Sequence, residues 1–532
     1  MISIVILNLL PIVVMENNEQ KHTWRSLSSN LEQCVLVVSS GLMLIWMYWW
    51  FEHNPLPDGY QNEYLHIGNA FDLFGALREW DVWHLRWYMY TGYWPWGFYA
   101  APWPLLWFTD FSVRALQWSN LIHLSVLGGA VYLVRRYCSG AALFSILMFC
   151  PAVFGSLVRY EPNLANLAWV ALGLAALMRS DGLKRRLWVL LWGGALGIGL
   201  MMDRLTALFF LMPAIIPLFR SIKKSELINL ILGGTTALVL SAAYYREFFN
   251  RHLMELTSQA ATGEIDSAGA VEELINPAPY LYYVLSLVDS QAGPFIGLSM
   301  LVALGVLVHR RNMRLSDWIL MSSVAGSVLF FTLITKKQAF YTIPILFPMA
   351  FWLSQHLLLR RLALVGGVLT WLSLGCGSGQ VGGPWLPERW VAPRHTLAKA
   401  PSFQEWSFSK AFEDLDAQHV LVFSEDETFF EGFLQIFVRE RLPHAQVRGL
   451  VLDPVGTHEF VDDFDLFVWI GPEKQEWPSV GGVQVQLISD HYILSELPPI
   501  DVVWSEQRAS FEKEETLSLG DAMLRVYRRK RE

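Results

Sequence analysis

The sequence predicts a polytopic α-helical membrane protein of about eleven spanning helices, followed by a small C-terminal α/β soluble domain. Three observations carry this. Of the 532 residues, 53% are hydrophobic and 17% charged, against roughly a quarter charged in an ordinary soluble chain. The excess apolar content lies in a series of runs between Cys34 and Cys376. Beyond His395 the pattern changes to short β-rich stretches.

A helix needs about 20 mostly apolar residues to cross the hydrocarbon core. Candidate spans begin near Cys34, Ala115, Ala141, Pro162, Leu187, Leu205, Leu227, Ala292, Trp318, Tyr341 and Leu362. Every second connection is basic: Arg135-Arg136, then Arg179 with Lys184-Arg185-Arg186, then Arg220 with Lys223-Lys224, then Arg310-Arg311 with Arg314, and last Arg360-Arg361. The positive-inside rule puts these loops in the cytoplasm of a cell whose plasma (inner) membrane holds the chain. The N-terminus, with Lys21 and Arg25, is then cytoplasmic, and the eleventh span delivers the tail to the outside. Residues 1–15 are apolar but have no basic flank, which argues against a cleaved signal peptide. An interfacial segment, or a true start at Met15, accounts for them. The division expected is a cytoplasmic segment 1–32, a membrane domain 33–376, a linker 377–394 and an outer domain 395–532.

Two long loops share the outer face with the tail. The first, residues 52–110, is rich in Trp and Tyr, which favour the headgroup layer, so one or two helices lying along the membrane are expected there. The second, residues 246–290, is polar at its centre. In the tail, strands are expected at His419–Ser424, Gln446–Leu452, Leu466–Ile470, Val483–Ile488 and Met523–Tyr527, with an amphipathic helix at Phe429–Arg441. No GxGxxG or Walker-type loop supports nucleotide binding. The net charge of −8 owes much to tail acids such as Glu425, Asp426, Glu427, Asp462, Asp463 and Asp465, and no basic stripe suggests nucleic acid. The four cysteines (Cys34, Cys138, Cys150, Cys376) lie in or beside apolar runs and read as membrane thiols rather than a disulfide or metal framework.

Ionisable residues at membrane depth are costly, so each one kept there suggests a function. Asp58 and Glu63 follow the first span, in Pro57-Asp58-Gly59-Tyr60-Gln61-Asn62-Glu63-Tyr64-Leu65-His66. Arg159 and Glu161 sit between the third and fourth spans, Asp203 and Arg204 between the fifth and sixth, and Lys336 and Lys337 between the ninth and tenth. All fall on the outer face, where the charge rule disfavours the four cations. Carboxylates and cations together at one membrane surface suit chemistry on a lipid phosphate: the cation stabilises a departing phosphate and the carboxylate takes a proton from an attacking hydroxyl. Each has a plainer reading too. Asp203 and Arg204 can pair locally, Glu161 can cap the fourth span, and Lys337 can snorkel to the interface.

The set resembles the GT-C class of integral membrane glycosyltransferases, in particular the polyprenyl- or dolichyl-phosphate-sugar mannosyltransferase-like group that includes the aminoarabinose transferases. The residues that carry this are Pro57-Asp58 with Glu63-Tyr64-Leu65-His66, Arg159-Tyr160-Glu161-Pro162-Asn163, and Lys337-Gln338-Ala339-Phe340-Tyr341 with Pro344 and Pro348. The Gly-rich stretch from Gly197 to Pro213 adds to it, and the likeness covers roughly residues 35–360. Two departures stand out: the adjacent acids common after the first span are separated here, and the break after the fifth span carries Asp203-Arg204 where a Lys is common. The resemblance implies transfer of a sugar from a polyprenyl-phosphate donor to an acceptor hydroxyl on a lipid, glycan or protein, with inversion, outside the cytoplasm. Asp58 would be the leading base with Glu63 its rival, and Glu161 a second acid that binds the acceptor or positions the base. Lys337 with Lys336, Arg204 and Arg159 would hold the phosphate beside Asp203, while Tyr64, His66 and Tyr341 would shape the site. No cofactor is implied with certainty; carboxylates of this kind can take a divalent cation, although no ligand spacing argues for one. The alternatives are a transporter or flippase, against which the lack of internal repeats counts, and a non-catalytic scaffold related to the transferases.

Overall fold

The structure is a computed structural model. It describes residues 61–83, 85–86, 95–109, 111–216, 223–251, 278–310, 313–333 and 339–376, with scattered positions between 37 and 51. In the tail it describes 417, 419–424, 438, 445–449, 465–472, 511–519 and 522–530.

The described positions between 37 and 51 are helical wherever the first span is expected. Three helices follow in the first outer loop: α1 (Gln61–Arg78), α2 (Trp96–Ala100) and α3 (Trp103–Thr109). Their apolar faces gather Ile67, Phe71, Phe74, Phe98 and Leu106 into one cluster with Tyr160, while Trp83 and Phe108 stand 80% and 88% exposed. An apolar underside with protruding aromatic rings is the form of a layer lying on a membrane.

The helices α4 (Val113–Trp118) and α5 (Asn120–Val134) form one nearly continuous rod, begun by the Ser112 hydroxyl accepting from the Ala115 N–H (3.4 Å). The next rod is broken. Helix α6 (Gly140–Met148), capped by Ser139, and helix α7 (Pro151–Val158) meet at a 68° bend. Pro151 at the first position of α7 lacks the N–H that would continue α6, so the chain turns there.

Six further helices follow: α8 (Asn163–Arg179), α9 (Arg186–Met202), α10 (Thr206–Ile215), α11 (Lys224–Arg251), α12 (Ala278–Ser286) and α13 (Pro294–His309). The last three are α14 (Leu315–Leu333), α15 (Leu346–Ser354), led in by a 3₁₀ stretch Ala339–Ile345, and α16 (Leu357–Cys376). Each begins within five residues of an expected span except α12. That helix, with the π-helical turn Leu287–Gln291 after it, occupies the end of the stretch expected to be loop, and α11 runs on into its beginning. Among the described residues, two helices are long and apolar enough to cross a membrane alone, Lys224–Ala242 and Leu315–Leu333, with the bent α6–α7 pair as a third. The shorter apolar helices, such as Asn163–Arg179 and Arg186–Met202, pack around them.

Helix α8 is the hub. It packs on α5, α9, α10 and α14, and nearly every residue from Asn163 to Met178 is buried. Closest of all is the crossing of α9 on α11. A Cβ on Gly193 would run into the carbonyl of Gly233, and one on Gly197 would stand 2.9 Å from the carbonyl of Ala237. Glycines one turn apart let two backbones touch in a lipid environment, where close packing replaces the hydrophobic drive.

The described part of the tail is a five-stranded sheet of order β2-β1-β3-β5-β4. Its strands are β1 (His419–Ser424), β2 (Gln446–Gly449), β3 (Leu466–Pro472), β4 (Phe511–Leu519) and β5 (Ala522–Arg529). The first three are parallel and the last two close as an antiparallel hairpin on β3. Val420, Val422, Leu466 and Val468 are buried on one face and Leu421, Phe467 and Trp469 on the other, as expected of parallel strands covered on both sides. Four expected strands are present; β4 was not expected, and the expected strand at Val483–Ile488 lies outside the described residues. Of the expected helix Phe429–Arg441 only Val438 is described, and it is helical and buried.

Candidate active site

The C-terminal ends of α7, α9 and α11 and the N-terminal end of α8 lie beside α1 and α2, and polar side chains collect there. Arg159 ends α7 with extended backbone (φ −100°, ψ 144°), so Tyr160 and Glu161 lead away from the helix into the core. All three are buried. Glu161 accepts from the side-chain amide of Asn163 (2.7 Å). Pro162, the residue between Glu161 and α8, gives the helix no side-chain cap.

One turn along α8, Asn166 performs a similar task for the next acid. Its Nδ2 donates to Asp203 Oδ2 (2.9 Å), and its Oδ1 accepts from the Thr206 hydroxyl (3.0 Å). The other oxygen of Asp203 accepts from the Leu205 N–H (2.9 Å). Asp203 itself leaves α9 in an extended conformation (φ −153°, ψ 127°), and Gly199 lets this turn close, since a Cβ there would meet Thr206 Cγ2 at 2.7 Å. Two carboxylates from separate connections are thus held by asparagines at i and i+3 of one helix, a spacing that puts both amides on the same face.

Asp203 is buried, and that burial pushes its carboxyl up from 3.8 to about 6. The Leu205 N–H, the neighbouring Arg204 guanidinium and the Asn166 amide oppose the rise. The Asn166 amide and the Leu205 N–H both donate to carboxylate oxygens and, with the adjacent Arg204 charge, favour the ionised form against that burial.

The third wall is aromatic. His66, on α1, is buried and shares a 2.9 Å hydrogen bond between its Nδ1 and the Tyr99 hydroxyl of α2. Asn69 donates to the same hydroxyl (3.3 Å), which leaves the Tyr99 proton for His66 Nδ1 and assigns the ring proton to Nε2. Burial holds His66 down to about 3, so the imidazole is neutral at physiological pH, and burial with Tyr244 nearby keeps the Tyr99 phenol protonated despite Asn69 and Arg204. Tyr99 and Arg204 therefore belong to one corner. Phe98 stacks on Tyr160 (4.6 Å between centroids), and the Tyr160 hydroxyl donates to the Phe98 carbonyl (3.2 Å), locking the outer layer onto the Arg159–Glu161 segment. Replacing Tyr99 by Phe is expected to cost about 1–3 kcal/mol, because His66 and Asn69 both lose a buried partner. Thermal unfolding measures this, and an unchanged Tm would contradict the network.

The structure brings His66, Arg159, Glu161, Asp203 and Arg204 to this end of the fold. Tyr341 lies farther round, stacked on Phe331 of α14 (5.2 Å), while the neighbouring Thr342 hydroxyl accepts from Gln291 of the π turn (2.8 Å). Asp58, Lys336 and Lys337 lie outside the described residues; Glu63 and Tyr64 are on α1, but their side chains are not described. Among the described residues no three of His, Cys, Asp and Glu converge as a metal site. Sequence reasoning missed Tyr99, Asn166, Tyr244 and the fully buried Asp289 of the π turn, and quoted Asn163 within its motif without a role. The repeated Asn in Glu161-Pro162-Asn163-Leu164-Ala165-Asn166, at the head of an apolar helix, was the available signal.

A helical bundle with a polar corner under the short helices α1 and α2, continued into a tail, is a fold shared with solved structures. ArnT from Cupriavidus metallidurans, solved in the apo state, is similar over 92% of this chain and 97% of its own, with a TM-score of 0.55 at 9% identity. The same protein bound to undecaprenyl phosphate gives a TM-score of 0.53 at 9% identity over the same shares, 92% and 97%. The archaeal oligosaccharyltransferase AglB from Archaeoglobus fulgidus, in complex with an inhibitory peptide and a dolichol-phosphate, matches 82% of this chain and 69% of its own at 10% identity, but its TM-score of 0.38 is too low to argue from. No family model and no curated protein matches the sequence. At such identities the likeness is one of fold.

Proposed function

We propose that this protein is a glycosyltransferase that moves a sugar from a polyprenyl-phosphate donor to an acceptor hydroxyl, with inversion, at the extracytoplasmic face of the membrane. The observation that carries the reading is the corner where Glu161 and Asp203 are held by Asn163 and Asn166 beside Arg204. Burying Glu161, Asp203 and Arg159 at one end of a membrane fold is costly, and such charge is kept where charge develops in a reaction. The fold shared with ArnT, a protein that has been solved with undecaprenyl phosphate bound, supports the choice of a lipid-phosphate donor.

In this reading the chain crosses the membrane eleven times, with its N-terminus in the cytoplasm and the tail outside. The acceptor oxygen attacks the anomeric carbon opposite the phosphate. Its bond to that carbon forms as the carbon–phosphate oxygen bond breaks, and the electron pair leaves on the polyprenyl phosphate. The hydroxyl proton passes to a carboxylate, Asp58 first and Glu63 as its rival. Glu161 binds the acceptor or orients that base. Arg204, Arg159, Lys336 and Lys337 receive the charge that builds on the leaving phosphate. Asp203 holds Arg204 in place, and His66, Tyr64 and Tyr341 line the sugar's path. The acceptor is a lipid, a glycan or a protein.

The test uses purified protein in nanodiscs with radiolabelled undecaprenyl-phosphate mannose and undecaprenyl-phosphate aminoarabinose, together with a membrane extract as the acceptor source. Release of undecaprenyl phosphate with label moving to the extract is expected, and Glu161→Gln should slow it about 10²-fold or more. Turnover unaffected by Glu161→Gln, or transbilayer movement of the donor without cleavage, would defeat the proposal.

A further inference from the structure

Beneath the aromatic wall, two polar side chains of α5 have been left out of the account so far. Asn120 and His123 are 0% and 1% exposed and stand one helical turn apart. Asn120 Nδ2 donates to three carbonyls, those of Ser156 (3.2 Å), Leu157 (3.1 Å) and Arg159 (2.7 Å), closing the C-terminal end of α7. Only an NH₂ group can face three carbonyls, so the amide orientation is fixed. Its Oδ1 is therefore turned the other way, and among the described residues that oxygen has no hydrogen-bond partner. His123 lies parallel to the Phe98 ring (6.0 Å, 21°), and neither of its ring nitrogens has a partner among the described residues.

Three buried polar atoms without partners on one helix face are rare enough to need a cause. Each costs more than a made hydrogen bond returns, so a well-packed apolar pair would serve the core better. A neutral imidazole presents one donor and one acceptor, and Asn120 Oδ1 presents a second acceptor. An anion would face two acceptors, and among the described residues no cluster of carboxylates stands there to balance a metal ion. A water molecule, with two donors and two acceptor sites, complements the set. Residues at i and i+3 have Cβ atoms about 5–6 Å apart, a span that one water bridges with two hydrogen bonds of about 2.8 Å.

We propose that Asn120 and His123 build an internal hydration site beneath Phe98, and that its water ties α5 to the end of α7 and keeps the Arg159–Glu161 corner rigid. His123 is then a positioning residue, and the site stands whether or not the protein is a transferase.

The experiment compares wild type with His123→Phe, full-length in lipid nanodiscs; the substitution keeps the stacked ring and removes both nitrogens. Hydrogen exchange of the peptide covering residues 157–166 is expected to speed up by about tenfold, with exchange in α16 unchanged and Tm lowered by several degrees. Exchange unchanged or slower, with Tm equal or higher, would mean the nitrogens sit dry and would overturn the proposal. Should the variant not fold, a wild-type cryo-EM map better than about 2.5 Å decides: a water peak within hydrogen-bonding distance of Asn120 Oδ1 and His123 supports it, and an empty position refutes it.

Discussion

Replacing Arg204 by Gln is expected to lower sugar transfer by about 10²–10³-fold, the loss seen when one preorganised group facing the transition-state charge is removed. The same change has a second signature. Arg204 favours the ionised form of Asp203, whose carboxyl burial nonetheless raises to about 6 with that guanidinium beside it. Without the guanidinium that value rises further, so the acid limb of the pH–rate profile moves to higher pH. The stability effect runs in the opposite sense. The folded protein holds the Asp203 proton more tightly than the unfolded chain does. This contribution is therefore full below 3.8 and is lost as the pH rises to about 6, while activity that depends on the carboxylate is gained over that window. A pH–rate profile of wild type beside Arg204→Gln and Arg204→Lys checks both claims. An acid limb that stays in place in Arg204→Gln would break the link between the two residues.

The second large effect is structural. Gly193→Val is expected to prevent α9 from seating on α11, because its Cβ would enter the Gly233 carbonyl and backbone has nowhere to yield. The cost is about 3 kcal/mol or more, at the upper end of overpacking penalties. Size-exclusion profiles after detergent extraction, with yield of monodisperse protein as the measure, report it directly. Gly194, whose Cβ would meet nothing within 4 Å, provides the control: Gly194→Val on the same helix should extract like wild type.

The helical part of the fold was readable because each apolar run ends in a physical signal. Pro151 and Pro294 start helices, Ser112 and Ser139 cap them, and basic pairs follow several of their ends. Strand β4 was not readable. Its sequence, Phe511 to Leu519, is dominated by Glu and Lys, and it sits at the sheet edge with a bulge between Lys513 and Glu515. An edge strand takes its order from one neighbour's backbone and needs little apolar alternation. Of the site, the charged residues could be singled out because charge is rare inside a membrane. The asparagines that hold them left a weaker signal, a repeated amide at the head of an apolar helix, whose meaning depends on the partners it meets. His66 was picked for its place in a motif, yet its neutral state comes from burial, and its hydrogen-bond partner Tyr99 lies 33 residues away in sequence. Asp289 was missed for a different reason: the stretch Leu287–Gln291 reads as the end of a loop.

That π turn restricts how this part of the chain can vary. A π turn holds one residue more than an α-helical register accommodates. The turn ends α12 just ahead of Gly293, whose positive φ (76°) breaks the chain before α13. It fixes the length of chain between Tyr283, packed against Phe331, and Gln291, bonded to Thr342. Deleting one of the turn's five residues would leave an α turn in its place and shorten that length, setting the two contacts against each other. The segment can exchange its residues for others far more readily than it can change its length.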